Sequence, residues 1–464
     1  MAGHAVGWTV MTTDRRRSDV VPLREASKVW ALVALQSFGG PAGQIAVMQR
    51  SLVDERRWIG RGRFLHALNF CTLLPGPEAQ QLAVYIGWLL NGVRGGLVAG
   101  WLFVLPGVIA MFALSAVYVA YGNTTVVSAL FAGVAPAVLA IVTQAVLRIA
   151  GRALARPTLV LLAVGAFLAL AVFAVPFPLV VLAAGAIGWL AGRRRPDSMT
   201  VSAEPDDGPP PLVADDALHV EQQTPRRTAS VLLVGLVAWA VPIGLVIALT
   251  GRDSTPTAQG FFFSGMALVT FGGAYAVLSY VAQRAVEDYG WLGPREMVRG
   301  LALAETTPGP LIMVVQFVAF LGAYRAPGSL DPWVAATVGA LLTTWVTFVP
   351  SFVLVFLGAP YVERLRHNRN LATALAGVTA AVVGVIANLA LYFAVHTLFD
   401  KVETTTWGPM RLELPEVMSV RPLSLVIAVL AGVMLFGLRW SVPRTLGSCA
   451  LLGLGAAALS LPVT

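Results

Sequence analysis

Charge is what this sequence has least of. Only 12% of its 464 residues are Asp, Glu, Lys or Arg, against about 25% in an ordinary globular domain. With 57% apolar residues and a mean hydropathy of +0.75, a soluble protein is excluded, because no globular core needs that much apolar surface. Cysteine is nearly absent. Cys71 and Cys449 both lie in apolar stretches, which excludes a disulfide framework or a cysteine metal cluster. The histidines, at positions 4, 66, 219, 367 and 396, never fall at metal-ligand spacing. No P-loop, dinucleotide-binding loop or Cys-x-x-Cys occurs. ATP-driven transport by this chain alone, a resident metal and a cofactor are therefore not expected, and the chain reads as no enzyme. A cleavable signal pattern is also missing; the first apolar span begins near Val29, after five Lys or Arg residues.

What is present is a series of apolar runs about 20 residues long, the length a helix needs to cross the hydrocarbon. Thirteen such segments predict an all-α polytopic membrane protein. They lie near 29–48, 64–90, 96–121, 126–148, 158–174, 178–192, 229–250, 259–281, 301–323, 333–357, 373–399, 422–438 and 444–462. The net charge of +8 comes from basic residues in short loops. That is the positive-inside pattern of a membrane protein, with lipid as its surroundings, and not a nucleic-acid footprint. The expected organisation is a cytoplasmic tail over 1–28, a first repeat over 29–192 and a disordered linker over 193–227. A linking helix over 228–250 and a second repeat over 257–464 follow. The linker opens Arg193-Arg194-Arg195 and continues in Pro, Asp, Ser and Glu, a composition that does not pack.

Internal symmetry is the strongest signal. Phe38-Gly39-Gly40 recurs as Phe271-Gly272-Gly273, Pro75-Gly76-Pro77 as Pro308-Gly309-Pro310, and Trp58 with Gly60 as Trp291 with Gly293, all at an offset of 233. Ten of the forty positions in 38–77 are identical to those in 271–310, where composition alone gives roughly three or four. Beyond Arg325 the offset becomes 244, pairing Pro106 with Pro350 and Gly133 with Gly377. A shift of seven segments is odd, so the second copy is inverted, the usual plan of secondary transporters with a site near the midplane. Basic residues put the N-terminus in the cytoplasm, the loops at 148–156, 193–227 and 358–372 inside, and 400–421 and the C-terminus outside. The broken segments leave two arrangements open. If they cross, the Arg-rich loop 49–63 lies outside; if they re-enter, it lies inside.

The two motif pairs mark the expected site. Ser37-Phe38-Gly39-Gly40 and Thr270-Phe271-Gly272-Gly273 form one pair. Pro75-Gly76-Pro77-Glu78 and Thr306-Thr307-Pro308-Gly309-Pro310 form the other. Proline removes a helix hydrogen bond and glycine frees the backbone. Broken backbone at membrane depth must be buried or must line a polar cavity. Half-helices starting there present free N–H groups and the positive end of the dipole. Four such ends meeting near the midplane would bind an oxyanion without a fixed cationic side chain. Taken singly, each motif is more simply a kink or a packing point; recurrence in both halves favours a site.

These paired motifs, with Leu105-Pro106-Gly107, Val349-Pro350-Ser351 and an odd segment between the halves, resemble the long two-domain form of the chromate ion transporter (CHR) family. The resemblance covers about 29–460. It implies a plasma (inner) membrane transporter that exports the chromate dianion and confers resistance, with sulfate as a structural analogue; a homodimer fits the same plan. A sulfate importer or exchanger, or an anion channel of the same fold, satisfies the same residues. Pro41 faces Ala274 and Glu78 faces Leu311 across the repeat, so the halves are not equivalent. Glu78 and Glu305 are intramembrane carboxylates, candidates for carrying a proton or, for Glu78, for capping a helix. Gln36, Gln44, Asn69, Gln80, Gln81 and Gln316 suggest a polar path. Trp58 and Trp291 read as interface anchors, and His66 as interfacial.

Overall fold

The computed structural model describes residues 21–38, 40–122, 124–194, 224–271, 274–359 and 369–460. The N-terminal tail up to 20, Gly39, Gly272, Gly273, most of the expected linker (195–223) and much of the expected loop 358–372 fall outside these residues.

Apart from one hairpin, the described chain is helical, as an apolar chain in lipid must be to satisfy its backbone internally. The first repeat comprises α1 (Leu23–Gln36), α2 (Gly40–Gln49), α3 (Arg61–Leu73), α4 (Glu78–Tyr121), α5 (Thr125–Ala153), α6 (Pro157–Ala171) and α7 (Phe177–Arg194). Helix α8 (Pro225–Thr250) stands between the repeats. The second repeat comprises α9 (Thr255–Val269), α10 (Ala274–Gln283), α11 (Pro294–Thr306), α12 (Val314–Arg325), α13 (Pro332–Gly358), α14 (Arg369–Leu398), α15 (Pro422–Gly432) and α16 (Val442–Ala458). Strands β1 (Val402–Trp407) and β2 (Met410–Pro415) form an antiparallel hairpin after α14. Helices α4, α5, α7, α8, α13 and α14 are long and apolar enough to cross a membrane unaided. The protein is a multi-pass membrane protein.

Fewer long helices than apolar segments are found because four segments are broken. Each becomes two helices meeting at a motif, all short except α4, which runs on past its kink at Asn91 and Gly92. Polar contacts at one end of the bundle show where the second-repeat pairs begin and return. Glu296, at the start of α11, pairs with Arg325, at the end of α12, and accepts from Tyr118 near the end of α4. Arg295 and Arg421 share Asp400, and Arg411 pairs with Glu287 just after α10. The connection from α10 to α11 therefore sits at the same end as the end of α12, and as the start of α9, where Gln259 Nε2 donates to Ala319 O of α12. Both broken pairs in this repeat are re-entrant. In the first repeat Asn91 Nδ2 donates to Val21 O at the opposite end, where α4 kinks at Asn91 and Gly92 (φ 62°) and turns back.

Backbone details repeat with the sequence. A π-helical turn occupies Arg50–Glu55 and again Arg284–Asp288. Trp58 N donates to Leu52 O and Trp291 N to Ala285 O, both at 2.8 Å. The left-handed residue is Arg57 (φ 55°) in one copy and Gly290 (φ 61°) in the other. Trp58 and Trp291 are buried and so correct the interface reading; Trp291 stacks on Tyr289 and Phe263. The tryptophans close the re-entrant turns from within.

The repeats exchange partners. Helix α5 packs on α15 and α16 of the second repeat, and α14 packs on α6 and α7 of the first. Small residues let backbones meet at both crossings. A Cβ on Gly133 would overlap the carbonyl oxygen of Cys449, and one on Gly377 the carbonyl of Ala184. Gly133→Leu and Gly377→Leu are each expected to destabilise the fold by about 3 kcal/mol or more by forcing these backbones apart. Thermal unfolding in detergent measures the loss. Gly165→Leu, which has open space around it, should leave the transition in place.

Candidate functional site

The four breaks are brought together in reciprocal pairs. Gly76 N donates to Thr270 O at 2.8 Å, and Gly309 N donates to Ser37 O at 3.0 Å. Each Pro-Gly-Pro motif thus docks on the residue just before the Phe of the other repeat's motif. Both glycines have the positive φ that side chains resist, +133° at Gly76 and +98° at Gly309. Gln44 Nε2 donates to Gly309 O at 2.6 Å, and Gln81 Nε2 to Pro75 O at 2.8 Å. Ser37 and Thr270 turn their hydroxyls back to Val33 O and Met266 O, so their side chains are engaged within their own helices. Two of the amides expected to hold an anion, those of Gly76 and Gly309, are instead joints between the repeats.

Three of the four helix starts at the breaks face a cavity of about 360 Å³. Pro41 and Ala42 reach it from the start of α2, Glu78 from the first residue of α4, and Ala274 and Tyr275 from the start of α10. Gln144, Arg148 and Arg152 line it from α5, with Thr72 and Thr379. Positions 144, 148 and 152 repeat at i, i+4, which puts all three on one helix face. Arg152 and Ala153 close α5, so the cavity opens at the end of the bundle that holds Asn91. Gly40, at φ +72°, lies against the ring of Tyr275.

Glu305 is almost wholly buried. Its Oε1 accepts from the Tyr275 hydroxyl at 2.5 Å, its Oε2 has no hydrogen-bond partner, and it feels the charge of Arg148. Thr307 is buried with its hydroxyl on Ala304 O, whereas Thr306 is exposed with its hydroxyl on Leu303 O, so neither hydroxyl faces the cavity. Pro308 and Pro310 flank the Gly309 joint. Phe38 and Phe271 lie beside the breaks, their N–H groups bonded to Gln36 O and Val269 O. Among the described residues no group of three His, Cys, Asp or Glu side chains is placed to hold a metal.

The pseudo-symmetric counterpart of this cavity is filled in part. At the repeat offsets, Ile45, Glu78, Ile141 and Ala145 correspond to Leu278, Leu311, Val385 and Leu389, all buried. Arg148 corresponds to Tyr392 and Gln144 to Asn388. A second cavity, of about 290 Å³, holds Glu287, Asn388, Leu389, Tyr392 and Arg411 at the opposite end. The matched residues Leu278, Leu311 and Val385 line neither that cavity nor the one of about 630 Å³ around Arg295, Arg299 and Asp400.

Sequence reasoning missed Tyr275, Gln144, Arg148, Arg152 and Thr379. The two arginines counted only as topology signals because they close an apolar segment. Their spacing was the available clue. Tyr275 directly follows the residue matched to Pro41, where the copies diverge.

The comparisons agree with this architecture. A family model described as chromate transporter matches residues 25–189 and 258–457, one stretch per repeat, omitting α8. A chromate transport protein of Pseudomonas aeruginosa is 32% identical over 81% of this chain and 81% of its own length. A probable chromate transport protein of Synechococcus elongatus is 27% identical over 89% of this chain and 95% of its own. A chromate transport protein of Cupriavidus metallidurans is 26% identical over 82% and 84%. No solved structure matches. With both repeats matched and relatives aligned over most of their lengths, the chain belongs to the chromate transporter family.

Proposed function

We propose that this protein exports chromate from the cytoplasm through the plasma membrane by alternating access, and so confers chromate resistance. The observation that carries the reading is the asymmetry between the halves. Three helix starts and two arginines surround a cavity at one end, and at the matched positions of the other repeat a buried apolar plug takes its place. Inverted repeats supply the second state, because exchanging their conformations opens the other side. The basic loops support a reading in which the end holding Arg148 and Arg152 faces the cytoplasm and the C-terminus lies outside. An inside-negative potential drives the export. A dianion moving alone across 100 mV gains about 4.6 kcal/mol, more than a thousandfold gradient; with one proton carried along, the net single charge gains about 2.3 kcal/mol, roughly fiftyfold.

Everted vesicles carrying the protein should accumulate labelled chromate when a potential is imposed, with saturation and with inhibition by excess sulfate. Equal uptake by vesicles lacking the protein would overturn the transport reading. Flux that stays linear with chromate concentration would favour a channel, and concentrative sulfate movement in the opposite direction would favour import.

Sidedness has its own measurement. In a background with Cys71 and Cys449 replaced, Gly408→Cys in the hairpin should react with an impermeant maleimide added outside intact cells. Arg156→Cys should react only after the membrane is opened. The reverse pattern inverts the orientation.

A further inference from the structure

The cavity holds more charge chemistry than a bare ring of backbone amides requires. Arg148 and Arg152 line it with exposed side chains. Two carboxylates answer them, Glu78 on the cavity wall and Glu305 behind Tyr275. With both carboxylates ionised, the four groups sum to zero. A dianion added to that set would bring two uncompensated negative charges into a low-dielectric space, which is costly. The set accepts a dianion readily only when negative charge leaves it.

We propose that Arg148 is the fixed cation of the oxyanion site and that Glu305 trades its charge for the substrate's, taking up one proton through a Tyr275 relay as the anion loads. This rests on the transport reading above and names the coupling at that site. The Tyr275 hydroxyl donates to Glu305 Oε1, and Arg148 acts electrostatically on both residues. On loading, the Tyr275 hydroxyl proton passes to Glu305 Oε1, and a buffer proton delivered through water in the cavity replaces it on the Tyr275 oxygen. The new carboxylic O–H donates to the Tyr275 oxygen, and the new phenolic O–H points into the cavity and donates to the arriving oxyanion. One tyrosine O–H bond breaks as another forms, and one proton enters for each anion. Arg148 loses its partner carboxylate as it gains the dianion.

The charged and titratable groups facing this unit come from several elements. Tyr275 comes from α10, Arg148 and Arg152 from α5, and Glu78 from α4 with Cys71 of α3 beside it. Other ionisable groups on the elements around α11 are engaged or placed elsewhere. Arg325 of α12 holds Glu296. Tyr118 of α4 faces Glu296 and Arg299. Tyr392 and His396 of α14 face Glu413, and Arg444 of α16 is exposed. The other repeat has no such unit, since Thr72 stands at the position matched to Glu305, Ala42 at that of Tyr275 and Tyr392 at that of Arg148.

The test is a calorimetric titration of the purified, full-length protein with potassium chromate at one pH, in buffers of different ionisation enthalpy. The dependence of heat on buffer counts protons taken up per anion. The wild type should take up about one proton per chromate when Glu305 begins ionised. Glu305→Gln should still bind but take up none. Tyr275→Phe should bind about tenfold more weakly through loss of a hydrogen bond to charge. Arg148→Gln should weaken binding about a hundredfold, and Arg148→Lys should recover part of it. Thermal unfolding confirms that each variant is folded. Chromate binding without proton uptake by the wild type, or unchanged uptake by Glu305→Gln, overturns the relay and leaves the transport reading standing. No chromate binding by folded wild type overturns both.

Discussion

Gly76→Leu and Gly309→Leu are each expected to abolish chromate flux and to lower thermal stability in the same step. Both positions need positive φ, which costs an L-residue about 1–2 kcal/mol. Both amides are consumed in buried hydrogen bonds to the opposite repeat, and disturbing one costs about 1–3 kcal/mol more. Space is also lacking. A Cβ on Gly76 would lie 2.6 Å from Gln81 Nε2, and one on Gly309 would lie 3.2 Å from the backbone of Gly107. The two joints are where the inverted repeats hold each other, so damage to either removes the register that alternating access needs. Vesicle flux and thermal unfolding, measured on the same preparations, decide the matter. Flux lost at an unchanged transition would mean that these amides serve the anion after all, as the sequence alone suggested. Wild-type flux in both variants would reduce the motifs to kinks.

The motif pairs were legible because they recur, and recurrence is a property of sequence. What they touch was not legible. The bonds from Gly76 to Thr270 and from Gly309 to Ser37 depend on the inverted copy folding back onto the first, and no local pattern states that contact. The charge count could not choose between crossing and re-entrant segments because the loop 49–63 weighs little in the total. The choice lies in the pairs Glu296–Arg325 and Arg295–Asp400, whose members are 29 and 105 residues apart. Trp58 and Trp291 misled because an aromatic residue near a loop reads as an interface residue; the π-helical turns before them fold the indoles inward. Arg148 and Arg152 misled in the opposite sense, since a basic residue at a helix end reads as topology even where it also lines a cavity. Glu78 and Glu305 stood out because carboxylates in apolar segments are rare. Tyr275, the partner that links Glu305 to the cavity, is an ordinary residue type in such a segment.

The plug offers the second large effect. Leu278 and Leu389 are buried on the closed side at the positions of Ile45 and Ala145 on the open side. Removing both side chains as Leu278→Ala with Leu389→Ala leaves a void that costs roughly 2–5 kcal/mol per site. That cost falls on the closed half alone. The barrier between the cavity and the far vestibule then thins from both α10 and α14, and Leu389 already forms part of that vestibule's wall. The double variant is expected to pass anions passively: an imposed potential should collapse faster in vesicles containing it, and concentrative chromate uptake should fall by at least about tenfold as the gradient leaks away. The mirror change, Ala145→Leu, puts the closed side's residue into the open cavity. It should stop flux with little loss of thermal stability, because a leucine there fills space instead of emptying it. If the double alanine variant stays tight and concentrates chromate at the wild-type rate, the apolar cluster is not the barrier. If Ala145→Leu transports normally, the open cavity is not the path.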